Sequence, residues 1–156
     1  MTLLRMDNIL VVVEDIEAAM AFFLELGMEL EGRMQVEGDW VDRTSGIDGT
    51  RGEIVMLRPP DGHGGIELTK YHEPATLGPS PRDLPVNTLG YRRVMFAVDD
   101  LDVVLERLRS HGAELVDEIV EYEGLYRLCF IRGPEGIIVG LAQPLQGLQP
   151  ELFTDG

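Results

Sequence analysis

The chain has 156 residues, of which 44% are hydrophobic and 26% charged, the composition of an ordinary soluble globular domain. Its formal charge of −15 repels phosphate backbones and anionic lipid, so we expect neither nucleic acid nor a membrane surface as a partner. No apolar run reaches the roughly 20 residues of a membrane helix, and the N-terminal residues carry no apolar signal segment. A single cysteine, Cys129, forms no internal disulfide, and we therefore expect a cytoplasmic protein.

The first half of the chain predicts a strand, a helix and three further strands. Asp15 stands where a helix N-cap belongs, apolar residues follow it at helical spacing, and Gly27 ends the helix as a C′ residue does. Alternating apolar residues and glycine-rich turns mark the strands. The predicted strands are 7–13, 28–36, 52–57 and 65–71, with a loop or short helical turn at 38–49.

Residues 73–88 hold four of the nine prolines and little periodicity, so we predict a linker there. Beyond it, Asp100 predicts a second N-cap and Gly112 a second helix end. We predict one domain, 1–156, made of module one (4–72), the linker, module two (89–145) and a loosely ordered tail (146–156). The strands of the second half are predicted at 91–98, 115–121, 126–132 and 137–142.

The two halves repeat each other without a gap at an offset of 85 residues. Asp15 aligns with Asp100 and Gly27 with Gly112. Two related half-domains in one small chain usually pair about a pseudo-twofold axis, with a ligand site in the groove between them. We therefore predict an α+β fold in which two βαβββ modules form a curved, mixed, eight-stranded sheet around a central groove.

Strand alternation assigns side chains to the groove. Asn8 and Leu10 should face away from the helix of the first half, and Glu67 should do so as well because its neighbours are apolar. By the same rule Arg93 and Met95 face the groove in the second half. These residues predict a pocket of mixed polarity.

Three segments carry a resemblance to a known family. They are ILVVVEDIEAAMAFFLELGMEL, RVMFAVDDLDVVLERLRSHGAELV and RGPEGIIVGLAQ. In this order they resemble the vicinal oxygen chelate superfamily, which includes glyoxalase I, methylmalonyl-CoA epimerase, extradiol dioxygenases, fosfomycin-modifying enzymes and bleomycin-resistance proteins. The resemblance covers about residues 4–145. It implies paired βαβββ modules and, because modules often pair between chains in this superfamily, a homodimer.

The resemblance also implies where a divalent metal would bind. Two of its four ligand positions, commonly histidine in the superfamily, fall on Asn8 and Arg93. The glutamate of the closing strand falls on Gly140, and the remaining position falls on Glu67, the one good ligand type of the four. Amide oxygen is a weak ligand, glycine has no side chain, and a guanidinium repels a cation. We therefore expect no metal and no other cofactor, with a divalent metal as the alternative if this alignment of ligands is wrong.

Other residues have both a binding and a structural interpretation. Arg93 could form an ion pair with Glu67 or grip an anionic or carbonyl oxygen of a ligand. Trp40, Tyr122 and Tyr126 could form an aromatic wall around a planar ligand, although each could equally be a packing or hairpin residue.

Three classes of function remain open at this point. The one we favour is a metal-free protein that binds a small molecule, as bleomycin-resistance proteins do. The second is a glyoxalase-like lyase, isomerase or epimerase with Glu67 as its acid–base residue, or a dioxygenase-like metalloenzyme if the ligand alignment is wrong. The third is a module that acts mainly in a dimer or larger assembly.

Overall fold

A computed structural model describes residues 2–78 and 84–145. Residues 79–83 of the predicted linker and the predicted tail, 146–156, lie outside the described residues. The chain divides between residues 79 and 80 into two compact units, called here the first and second modules. The elements are β1 (Ile9–Val12), α1 (Ile16–Leu26), β2 (Glu29–Glu37), α2 (Asp39–Ser45), β3 (Arg51–Arg58), β4 (Ile66–Glu73), β5 (Arg93–Ala97), α3 (Leu101–Arg109), β6 (Glu114–Leu115), β7 (Val120–Tyr122), β8 (Tyr126–Arg132) and β9 (Ile138–Pro144), with a 3-10 turn at Pro134–Gly136.

The first module is a four-stranded sheet with α1 packed on one face. The strand order is β1-β4-β3-β2, with β1 parallel to β4 and the other pairs antiparallel. Phe22 and Phe23 of α1 are fully buried and meet edge to face, with ring centroids 5.1 Å apart. Alternate strand residues such as Val55 and Leu68 complete this core, as the period of two in a strand requires.

An arginine links α1 to the sheet of the first module. Arg33 of β2 donates from Nε to Glu53 of β3 at 2.5 Å and from Nη2 to Glu17 of α1. These two hydrogen bonds raise the pKa of Arg33 above its usual value. This cluster lies on the side of the sheet that faces α1, so its three side chains take no part in the opposite face.

The second module repeats this plan with five strands. Its order is β5-β9-β8-β6, and β7 also pairs with β8. The strand predicted at 115–121 is wrong as one continuous element, because β6 and β7 are separated by an exposed segment that contains Asp117 and Glu118. Acidic residues are poor strand formers. The predicted α+β fold of two βαβββ modules is confirmed, with the strand after α3 divided into β6 and β7, which both pair with β8. The described residues therefore form nine strands in place of the eight predicted.

The repeat extends to individual hydrogen bonds. Asp15 accepts from Ala18 N at 3.0 Å, and Asp100 accepts from Val103 N at 3.1 Å, so both predicted N-caps are confirmed. After each helix an equivalent backbone bond forms, from Met28 N to Phe23 O and from Ala113 N to Leu108 O. In the described residues, no helix is long and apolar enough to span a membrane.

Candidate functional site

Glu67 lies on the face of the first module's sheet that is opposite to α1. Its strand neighbours in register are Leu10 of β1 and Met56 of β3, so the carboxylate is flanked by apolar side chains. It is half-buried, and burial raises the pKa of its carboxyl above the usual value. Among the described residues it has no hydrogen-bond or ion-pair partner. Glu67 is therefore available to bind or exchange a proton.

The other predicted residues of the first module differ in exposure. Asn8 directly precedes β1 and is half-buried, whereas Leu10 is exposed. Trp40 lies on α2 and is 60% exposed. Its helix ends in a turn held by Asp42, whose carboxylate accepts from Gly49 N and Thr50 N at 2.9 Å each. Strand pairing brings Leu10 and Glu67 together, whereas Trp40 belongs to a separate element, α2.

Arg93 lies on the corresponding face of the second module. Its Cζ atom is 4.2 Å from the ring centroid of Phe130, a cation–π contact. Ile138 is its neighbour in register on β9, and Met95 follows two residues later on the same face. The guanidinium thus lies on an apolar sheet surface.

Gly140 of β9 pairs with Met95 on one side and with Phe130 on the other. A Cβ atom at residue 140 would lie 2.0 Å from Met95 Sδ and 3.3 Å from Arg93 Cδ. The side chains of Met95 and Arg93 therefore fill the space that a side chain at residue 140 would need. This is the position at which the resemblance implies a glutamate ligand.

The same face of the second module contains a cavity of about 380 Å³. Arginine and apolar side chains contribute to it together, and its volume is in the lower part of the range of small-molecule sites. The Nε atom of Arg92 is buried and has no hydrogen-bond partner. The cavity is lined by Val86, Arg92, Arg93, Met95, Phe130 and Ile138.

These side chains do not fit a divalent metal. Arg93 carries a positive charge where the resemblance implies a histidine, and the space beside Gly140 holds a thioether and an aliphatic chain. In the part of the chain that the structure describes, no three His, Cys, Asp or Glu side chains are grouped so that they could hold an ion. Hard and borderline cations need several oxygen, nitrogen or thiolate ligands. The donor set argues against a metal centre of the superfamily's kind.

The two predicted tyrosines are strand partners. Tyr122 of β7 and Tyr126 of β8 face each other across a tight turn in which Glu123 and Gly124 both have positive φ. Tyr122 is 54% exposed, but Tyr126 is only 7% exposed and offers little surface to a ligand. The hairpin role that the sequence left open for Tyr126 fits this burial.

Sequence reasoning missed Phe130, Ile138, Val86 and Arg92 as lining residues. Phe130 lies in the apolar segment LCFI, where nothing in the sequence distinguishes a residue that stacks under an arginine from a core residue. The register of β8 against β9 places it beside Gly140. The sequence does not reveal this register, and without it Phe130 could not be assigned to the cavity.

Comparison with known proteins assigns the fold to a family. The Glyoxalase/Bleomycin resistance protein/Dioxygenase superfamily matches residues 5–141 of the chain, and the chain therefore belongs to this family. The predicted resemblance is confirmed. No curated protein matches the chain.

Solved structures agree with this assignment. A glyoxalase family protein from Bacillus cereus is 53% identical, with a TM-score of 0.88 over 92% of this chain and 96% of that one. TnmS3, an antibiotic-binding protein from Streptomyces sp. CB03234, is 20% identical, with a TM-score of 0.59 over 92% of this chain and 98% of that one. The trypanothione-dependent glyoxalase I of Leishmania major is 18% identical, with a TM-score of 0.60 over 90% of this chain and 86% of that one. The last two show the fold alone.

Proposed function

We propose that this protein binds a small organic molecule without a metal, as a non-enzymatic member of the glyoxalase/bleomycin-resistance family. The observation that carries the proposal is the side-chain arrangement around Gly140. Met95 and Arg93 fill the space where a metal-binding glutamate would project, and Arg93 adds a positive charge. A cation in this place opposes the binding of a second cation.

A cavity also supports the proposal. It has a volume of about 380 Å³, lies on the sheet of the second module and places a charged group beside apolar side chains. Sites of this composition bind small molecules by apolar burial and use a few polar groups for orientation. The family fold also includes a protein described as antibiotic-binding, which is a precedent for binding without a stated reaction.

Metal analysis tests the metal-free part of this proposal. We expect elemental analysis of the purified protein to find far less than one equivalent of any transition metal. We also expect no rise in the unfolding midpoint on addition of Zn, Ni, Mn or Fe(II), because a ligand that binds only the folded state must raise it. A stoichiometric metal, or a rise of several degrees with one ion, would overturn the proposal in favour of a metalloenzyme.

A second candidate function follows from Glu67. A carboxylate with a raised pKa, apolar neighbours and no partner among the described residues suits an acid–base residue of a lyase, isomerase or epimerase. Incubation in D2O with a panel of 2-oxo acids and thioesters would test it by NMR. Exchange of a carbon-bound proton by the native protein, lost in Glu67→Gln, would favour the enzyme; no exchange with any compound favours the binding protein.

A further inference from the structure

We infer that the cavity of the second module binds the carboxylate of a small monoanionic molecule with an apolar body, and that Arg93 and Arg92 recognise that carboxylate. This inference rests on the proposed small-molecule binding and adds the chemical class of the ligand. It is carried by the cavity, by two arginines that have no acidic partner among the described residues, and by the apolar lining.

Arg93 has side-chain N–H groups that make no hydrogen bond with the described residues. Its contact with Phe130 offers it no oxygen or nitrogen acceptor, and among the described residues no carboxylate or carbonyl oxygen accepts from it. A guanidinium presents its N–H groups in a planar fork that matches the two oxygens of a carboxylate. The aromatic ring holds the side chain in place, which lowers the entropy that binding would cost.

Arg92 provides the second donor. Its Nε–H is buried and makes no hydrogen bond, a state that costs free energy because water can no longer solvate the group. Arg92 lines the same cavity as Arg93, so an oxyanion bound between the two side chains would give it a charged acceptor.

Other arginines near cavities are already engaged. Arg132, on the same sheet, donates to the carbonyl oxygens of Leu84 and Gly136. A second cavity of about 380 Å³, in the first module, is lined by Arg5 and Arg58 among other residues. Arg5 pairs with Asp7 at 2.6 Å, and Arg58 donates to Gly62 and Gly64 and pairs with Glu31. Among the described residues, the arginines of the second module's cavity thus differ from those of this first-module cavity in having no carboxylate partner.

The other lining residues indicate the chemistry of the rest of the ligand. Val86, Met95, Phe130 and Ile138 are apolar, and together they favour an aliphatic or aromatic body. A cavity of this volume suits a compound of modest size rather than a large antibiotic. The net charge of −15 penalises each further negative charge on a ligand, so a carboxylate is favoured over a phosphate dianion.

Three probes of one shape test the inference: phenylacetate, its neutral amide phenylacetamide, and phenyl phosphate. Titration of the full chain is followed by backbone amide NMR and by calorimetry, since a fragment of this size is expected to bind in about the millimolar range. We expect phenylacetate to bind at least about tenfold more tightly than the amide, the effect of one charged hydrogen-bonded pair. We expect phenyl phosphate to bind more weakly than phenylacetate.

Two variants assign the effect to the cavity. Arg93→Met keeps an aliphatic chain over Phe130 and removes the charge, so it should abolish the preference for the acid. Arg51→Met removes the same charge from an exposed strand position of the first module and should leave the preference unchanged. Shifts of residues 93–95 and 130 should report binding of phenylacetate to the native chain.

The outcomes separate this inference from the proposal on which it rests. Equal binding of acid and amide, or a preference that survives in Arg93→Met, overturns the carboxylate assignment and leaves small-molecule binding intact. Tighter binding of phenyl phosphate reassigns the site to phosphorylated ligands and also overturns it. If neither the acid nor the amide perturbs the cavity residues, the inference fails, and a stoichiometric metal in the same preparation would show that the proposed function fails with it.

Discussion

Gly52 and Gly140 both occupy positions where a side chain has no room, for different reasons. A Cβ at residue 52 would lie 2.7 Å from the backbone carbonyl oxygen of Lys70, which is fixed by the sheet. A Cβ at residue 140 would meet the far end of Met95, a flexible and 39% exposed side chain. The first obstacle is rigid and the second can move.

Alanine substitution should therefore separate the two glycines. We expect Gly52→Ala to lower the free energy of unfolding by about 1–3 kcal/mol, the usual cost of an overpacked site. Gly140→Ala should cost less than about 1 kcal/mol, because Met95 can turn towards solvent. Urea denaturation of both variants checks this. Equal losses would mean that Met95 is held as firmly as the backbone.

Glu67 affects stability in a pH-dependent way. Burial raises its pKa in the folded protein, so the folded state holds the proton more tightly than the unfolded state does. The contribution of Glu67 to stability consequently falls as the pH rises from the ordinary glutamate pKa through the raised one. Below that window the group is protonated in both states and has no effect.

Glu67→Gln should remove this dependence. We expect the variant to be more stable than the native protein at neutral pH, since it no longer buries a charge, and equally stable well below the ordinary pKa. Denaturation at both pH values provides the measurement. Glu37→Gln, at an exposed position of β2, removes the same net charge and serves as the control. A neutral-pH gain of the same size in both variants would point to net charge instead of burial.

At the level of elements, α1 and α3 begin in the same way. Each follows a strand, and each has an aspartate whose carboxylate accepts from the backbone three residues later, Asp15 in the first module and Asp100 in the second. α3 is also joined to its sheet, because Arg127 of β8 forms two hydrogen bonds with Asp102 of α3. That contact lowers the pKa of the Asp102 carboxyl.

Removal of either cap should cost a similar amount. We expect Asp15→Ala and Asp100→Ala each to lower the free energy of unfolding by about 1 kcal/mol, as N-cap aspartates usually do. Asp99→Ala is the matched control, because Asp99 is adjacent, exposed and outside the cap. Chemical denaturation of the three variants is the measurement. A loss in Asp99→Ala as large as that in Asp100→Ala would show that charge, not capping, is responsible.

At the level of the whole molecule, charge dominates. Thirteen basic residues against 28 acidic ones leave a net −15, and like charges in a compact state repel one another. Individual ion pairs on the surface contribute little against this repulsion. This repulsion destabilises the folded state, and salt screens the repulsion.

Added NaCl should accordingly stabilise the protein. We expect the unfolding midpoint to rise with salt between low and physiological ionic strength, and a gain of about 1 kcal/mol would correspond to roughly 2–4 °C. Differential scanning calorimetry checks the rise, with sucrose at matched osmolality as a control for solvent effects. A midpoint that falls with salt would mean that ion pairs such as Arg33 with Glu17 and Glu53 outweigh the repulsion.

At this scale the homodimer stays a prediction. It rests on the resemblance, and light scattering of the purified protein would test it.

The order of elements was readable from the sequence because its causes are local. Near neighbours in the sequence determine the N-caps at Asp15 and Asp100, the glycine after each of these helices and the strand alternation. Because the chain repeats, each of these signals occurs in both halves. The residue types at the four expected ligand positions were equally legible, because a residue's ligand chemistry belongs to its side chain. The break between β6 and β7 was not, since one pair of acidic residues does not by itself end a strand.

The site depended on contacts between residues distant in the chain. Phe130 lies under Arg93, and Met95 fills the space beside Gly140, only because the registers of β5 and β8 against β9 place them there. Register is set by the packing of the whole sheet, not by any single strand. The sequence alone thus determined the fold and the residue types at the expected ligand positions. The tertiary structure decided which side chains fill the space beside Gly140 and leave Arg92 and Arg93 without a carboxylate partner among the described residues.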